Sequence, residues 1–184
     1  MSRMPDRLTE TVARSIAIVC LGMIFLFASG SIAVATGQRA ASENLVGTWQ
    51  MVSRVDRDVE GNVLPEPSLG PDPLGYLIYD AAGHVAVQLM ARQRPAVPCQ
   101  VTASAASNNV GHIGGYDAFF GRYEVNVTAG TVTHILEGAI SPEDVGRRLT
   151  RRFKLIGDGL TLEFEPGGLT AGRTRTLTWR RVSR

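Results

Sequence analysis

GYDAFFGRYEVNVTAGTVTHILEGAISPEDVGRRLT, residues 115–150, is the stretch whose reading decides the fold. It opens on an aromatic cluster (Tyr116, Phe119, Phe120, Tyr123), and Thr128-Ala129-Gly130 then divides two runs of alternating apolar and polar residues, the pattern of a β-hairpin. A tight turn at Ala129-Gly130 predicts Val127 opposite Val132, Val125 opposite His134 and Tyr123 opposite Leu136 on one face. Arg122 then faces Glu137 on the other, an exposed ion pair worth roughly a few tenths of a kcal/mol. One face is aromatic and aliphatic with a single imidazole in it, so any chemistry belongs on that inner face.

The same patterning extends in both directions from this hairpin. Upstream, Trp49, Met51, Ser53 and Val55 alternate with Gln50, Val52, Arg54 and Asp56; this predicts a strand with the first set inward, although Val52 breaks the pattern. Pro65, Pro67, Pro71 and Pro73 make residues 63–73 an irregular connection. A turn at Ala82-Gly83 then predicts a second hairpin that pairs Ile78 with Val87 and Tyr76 with Leu89. Residues 92–114 read as a long loop with one weak helical turn between about Ala103 and Asp117. Downstream, Gly157-Asp158 predicts a third hairpin with Leu155 opposite Leu160, Phe153 opposite Leu162 and Arg151 opposite Phe164, while Arg152 and Glu163 meet on the outer face. Arg173 to Val182 supplies the last strand, with Leu177 and Trp179 inward. Consecutive antiparallel strands with one apolar face each are best satisfied by closing the sheet, which removes exposed edges. The expectation is an all-β, eight-stranded antiparallel up-and-down barrel, whose interior either fills with side chains or holds one small ligand.

With 44% apolar and 20% charged residues, the 184-residue chain is ordinary globular material apart from its N-terminus. There, Arg3, Arg7 and Arg14 precede an apolar run from Ser15 to Ala28 and a small-residue exit ending in Ala33-Val34-Ala35, the layout of a secretory signal-peptide helix cleaved after Ala35. The alternative is an uncleaved anchor, since Ser15 to Ala35 is long enough to span a bilayer with the barrel outside the cytoplasm. The expected organisation is therefore a signal at 1–35, a polar lead at 36–43 and a barrel domain at 44–184, exported to the periplasm or secreted. Removing residues 1–35 takes three of the 19 basic and two of the 17 acidic side chains, leaving a nearly neutral 16 and 15. That balance gives no drive for nucleic-acid binding. Cys20 leaves with the signal and Cys99 remains alone, so no internal disulfide is expected. His84, His112 and His134 are scattered and have no metal-ligand spacing; neither a metal nor any other cofactor is expected.

Leu45-Val46-Gly47-Thr48-Trp49, Pro73 to Tyr79 with Gly83 to Gln88, Gly115-Tyr116 through Val125, and Gly130 to His134 together resemble the bacterial lipocalin-like domain family over about residues 44–182. The resemblance implies an eight-stranded barrel and, by analogy with lipocalins, binding of a small apolar molecule. It departs from the family at Ser107 to Gly114, where poor helix formers stand in place of a helix. Trp49 resembles the lipocalin tryptophan that plugs the closed barrel end under an arginine of the last strand, and Arg181 has the parity for that structural role.

Three functional readings follow. In the first, the barrel binds a small, largely apolar molecule, with Tyr76, Tyr123, Val125, His134, Leu136, Phe153 and Leu162 lining the cavity and Ser53, His134 and Arg151 supplying polar contacts. Arg151 shares a face with Phe153, Leu155 and Phe164, so its guanidinium either reaches the barrel mouth or meets an acid, a ligand carboxylate being one candidate. The second is a cyclase or isomerase in which His134, helped by Tyr123, moves a proton. In the third, side chains fill the barrel and the domain is a structural or interaction module.

Overall fold

Each alternating run becomes a strand in the computed structural model: β1 Gly47–Arg57, β2 Leu74–Tyr79, β3 His84–Met90, β4 Tyr116–Asn126, β5 Thr131–Ala139, β6 Arg148–Ile156, β7 Gly159–Phe164 and β8 Thr174–Ser183. The structure describes residues 43–65, 68–70, 72–94, 101–102, 111–166 and 172–184. The export segment expected at 1–35, the polar lead at 36–43 except Glu43, and Cys99 lie outside these. Each strand pairs antiparallel with its neighbour in sequence, and β8 returns to β1, so eight strands close a barrel in up-and-down order. Two-residue strands at Val63–Leu64, Val101–Thr102 and His112–Ile113 add to its rim. Among the described residues helix is confined to short pieces at 43–45 and 142–144; the helical turn expected between about 103 and 117 falls largely outside them, and its described part, 111–117, is strand and turn.

The two ends differ. Short turns at residues 80–83, 127–130 and 157–158 close one end, where Trp49 is fully buried. The described parts of the longer connections, at 58–65, 68–70, 72–73, 91–94, 111–115, 140–147, 165–166 and 172–173, lie at the other. Leu69 reaches from 68–70 into the core, where it joins Leu77, Leu89, Phe119 and Leu162.

Register decides which side chains turn inward, and it departs from expectation at three places. The central hairpin closes through a four-residue turn, Val127 to Gly130, because Asn126 Oδ1 accepts the Ala129 amide at 3.0 Å and Gly130, in the left-handed region, donates to Val127. Tyr123 therefore faces His134, and Val125 faces Val132. The two-residue slip keeps parity, so the inner face stays as read, but Val127 ends exposed in the turn. Arg122 and Glu137 still meet, diagonally, at 2.7 Å. In the second hairpin Asp80 Oδ1 accepts the amides of Ala82 and His84 at 2.9 and 2.7 Å, which makes Asp80 and His84 the closing pair. This one-residue slip reverses β2: Leu77 and Tyr79 point inward, and Tyr76 and Ile78 lie on the outer face. In β1 a bulge leaves Val52 unmatched between the Met51–Trp179 and Ser53–Thr178 pairs. Beyond it, Arg54 and Asp56 turn into the barrel and Ser53 turns out. The third hairpin has the expected register, with Leu155 opposite Leu160 and Phe153 opposite Leu162.

Candidate functional site

The β1 bulge and the strand starts at the long-loop end gather a charged cluster inside the barrel. Arg54 and Asp56 come from β1, Asp117 from the start of β4, Arg151 from β6 and Arg175 from β8, all at most 5% exposed. Asp56 and Arg175 form a two-pronged ion pair, with Nε and Nη2 each 2.6 Å from a carboxylate oxygen. Arg54 Nη2 donates to the Ser68 hydroxyl at 3.4 Å, and the Arg151 guanidinium lies 3.6 Å from the centre of the Phe164 ring. Beside them Asp144, buried in the turn after β5, pairs with Arg147 and accepts the Gly111 amide at 2.6 Å.

Beneath this cluster is an internal cavity of about 30 Å³, room for roughly one or two water molecules. Its wall is largely apolar (Leu77, Val87, Leu89, Phe119, Leu162, Leu177), and its polar lining comes from the cluster, His134 and Trp179. On that lining Asp117 Oδ1, His134 Nδ1 and Trp179 Nε1 are buried with no hydrogen-bond partner among the described residues. Burial pushes Asp117 up to about 7, against the pull of Arg54, its strongest neighbouring cation. Burial, and then Arg151, pull His134 down to about 3, so its imidazole is neutral at physiological pH. The Tyr79 hydroxyl lies 2.6 Å from His134 Nε2. A phenol with this one partner satisfies its proton by donating it, which places the imidazole proton on Nδ1, facing the cavity.

These two shifts oppose one another in stability. Asp117, raised from 3.8 to about 7, contributes stability that is lost as pH rises through that interval. His134, lowered from 6.5 to about 3, contributes stability that is lost as pH falls through its own. Each changes the unfolding free energy by up to about 1.4 kcal/mol per pH unit, so together they leave it nearly level between pH 4.5 and 6.5. Urea unfolding at pH 4.5, 5.5 and 6.5 should show Asp117→Asn losing stability relative to wild type as pH falls, and His134→Gln gaining it. Parallel profiles for all three proteins would contradict this assignment.

The structure distributes the residues expected from sequence unevenly. His134, Arg151 and Leu162 line the cavity together. Tyr123, Val125 and Leu136 are buried in the core beyond the cavity lining; the Tyr123 hydroxyl is committed to the Asp80 carbonyl at 2.9 Å, and Phe153 packs at the edge of the core. Tyr76 and Ser53 do not line the interior, for the register reasons given above. Tyr79 takes the place expected for Tyr123 as the phenol beside His134. At the closed end the Arg181 guanidinium lies 4.0 Å from the centre of the Trp49 ring, and Trp49 Nε1 donates to the Leu45 carbonyl at 2.9 Å. Arg54, Asp56, Asp117 and Arg175 were not legible as site residues. The signals for them were the break at Val52 and the unbroken alternation Asp117, Phe119, Gly121, Tyr123, Val125. Among the described residues no group of His, Cys, Asp and Glu could hold a metal ion.

A family profile described as the lipocalin-like domain matches residues 46–182. No curated protein and no solved structure gives a significant match to the chain. The profile runs from the start of β1 into β8, the span that closes into the barrel, and the chain belongs to the lipocalin-like domain family.

Proposed function

We propose that this chain is an exported barrel that binds a small, largely apolar molecule through the long-loop end. Membership of the lipocalin-like family supports a small-molecule-binding barrel in general. The observation that carries the finer reading is the cavity wall, mostly aliphatic and aromatic with polar atoms concentrated at one end, the usual make-up of a ligand pocket. At about 30 Å³ the cavity accepts only one end of a ligand. The body lies outside, in the groove of about 570 Å³ bordered by Ser68, Leu69, Ala91, Gly114 and Gly115, or displaces Leu69 from the core.

The same small volume favours a second reading, a side-chain-filled barrel acting as a structural or interaction module. Proton transfer by His134 has less support, because an imidazole pulled down to about 3 is a weak base near neutral pH. Native mass spectrometry of the protein recovered gently from its export compartment tests these readings. The expected result is a mass starting at Thr36 with a reproducible adduct of roughly a few hundred daltons. A bare protein, or an adduct that survives mutation of Leu162 and Phe164 to Asp, would favour the filled module. His134→Gln, which keeps an N–H donor at this position, should leave adduct occupancy within about threefold of wild type.

A further inference from the structure

Asp117 Oδ1, His134 Nδ1 and Trp179 Nε1, unpartnered among the described residues around one cavity, are a costly arrangement, since each buried orphan forfeits its hydration. Their chemistry is specific. Trp179 Nε1 is a donor, His134 Nδ1 is a donor in the tautomer assigned above, and Asp117 offers an oxygen that donates when protonated and accepts when ionised. Cations also stand on the cavity wall. Arg54, Arg151 and Arg175 face Asp56 and Asp117, and Asp56 is chelated by Arg175.

We infer that this cavity is a subsite for the acidic head of the ligand, a carboxylate that takes hydrogen bonds from Trp179 and His134, lies in the field of Arg54 and Arg151, and shares a proton with Asp117. The inference rests on the reading of the barrel as a small-molecule binder and names the head group that such a molecule carries. A neutral Asp117 donates its proton to the incoming carboxylate, whereas an ionised one repels it. The groups acting on Asp117 are Arg54 from β1, Arg175 from β8, Arg151 from β6 and Asp144 from the turn after β5; the three cations favour its ionised form, while burial and Asp144 oppose it. Head-group binding therefore takes up one proton near neutral pH, and affinity falls as pH rises.

Acetate, octanoate and 1-octanol separate head from tail. Binding is followed through the indole N–H cross-peak of Trp179 in ¹⁵N-labelled protein and by calorimetry, at pH 6 and pH 8. Octanoate is expected to bind about tenfold more tightly at pH 6 than at pH 8, the linkage of one proton titrating near 7. 1-Octanol should bind more weakly and without pH dependence, and acetate should shift the same indole signal at millimolar concentration. Asp117→Asn, isosteric and permanently neutral, should bind octanoate equally at both pH values, and Arg151→Gln should weaken octanoate tenfold while sparing 1-octanol. Octanoate binding that is level with pH in wild type, or still pH-dependent in Asp117→Asn, overturns the subsite. If 1-octanol alone binds, the apolar-ligand reading stands and the subsite falls. Acetate acting alone would leave the subsite standing and remove the apolar ligand, and silence from all three probes would remove both.

Discussion

Replacing Asp56 by Ala should lower the unfolding free energy by about 3–5 kcal/mol, the largest single effect expected in the cluster. The reason is the asymmetry of buried ion pairs. Arg175 is 5% exposed and its guanidinium is chelated by Asp56 through two 2.6 Å hydrogen bonds; removing the carboxylate takes this two-pronged partner from a buried, permanently charged group. Replacing both partners, with Leu for Asp56 and Met for Arg175, removes the buried charge as well as the pair and should cost less than either single change. Urea denaturation of the two single variants and the double variant closes the cycle. If Asp56→Ala unfolds within about 1 kcal/mol of wild type, the pair is hydrated and behaves as a surface ion pair.

Trp49→Ala should cost about 3–5 kcal/mol as well, through a different mechanism. Trp49 is fully buried at the closed end, under the Arg181 guanidinium at 4.0 Å. Its indole donates to Leu45, and Arg181 donates to the carbonyls of Val46 and Asn44, so ring and arginine together fasten the segment before β1 across the barrel floor. Truncation leaves a ring-sized cavity and loosens that fastening. Arg181→Ala removes the cap but keeps the ring, and about 1–2 kcal/mol is expected from the cation–π contact and the carbonyl bonds. Equal losses from the two substitutions would mean that the arginine, rather than ring burial, closes the floor. Neither change reaches the charged cluster at the opposite end, so the octanoate affinity of a folded Arg181→Ala protein should match wild type.

What was legible in the sequence follows from how local each signal is. Alternation is a property of neighbouring residues, so it marked the strands and the inner faces of β4, β5, β6 and β7, including His134 and Arg151. It placed Trp49 and Arg181 on the same side of adjacent strands for the same reason. It failed where a single residue resets the count. The Asp80 carboxylate shifted the second hairpin by one residue, exchanging Tyr76 for Tyr79, and the Val52 bulge exchanged Ser53 for Arg54. A slip of two residues at Val127 to Gly130 did no such damage, because a pleated strand repeats every two residues.

By itself the sequence determined the strand count, the antiparallel closure and a histidine and an arginine on the inner face, because these depend only on periodicity and turn residues within each hairpin. Only the tertiary structure decided that three guanidiniums and two carboxylates share the interior. Asp56 and Arg175 stand 119 residues apart, and they meet because β8 closes on β1 with a bulge that turns Asp56 inward. Side-chain charge is visible in a sequence; the low-dielectric enclosure that gives Asp117 a proton near neutral pH exists only once the eight strands have closed around it.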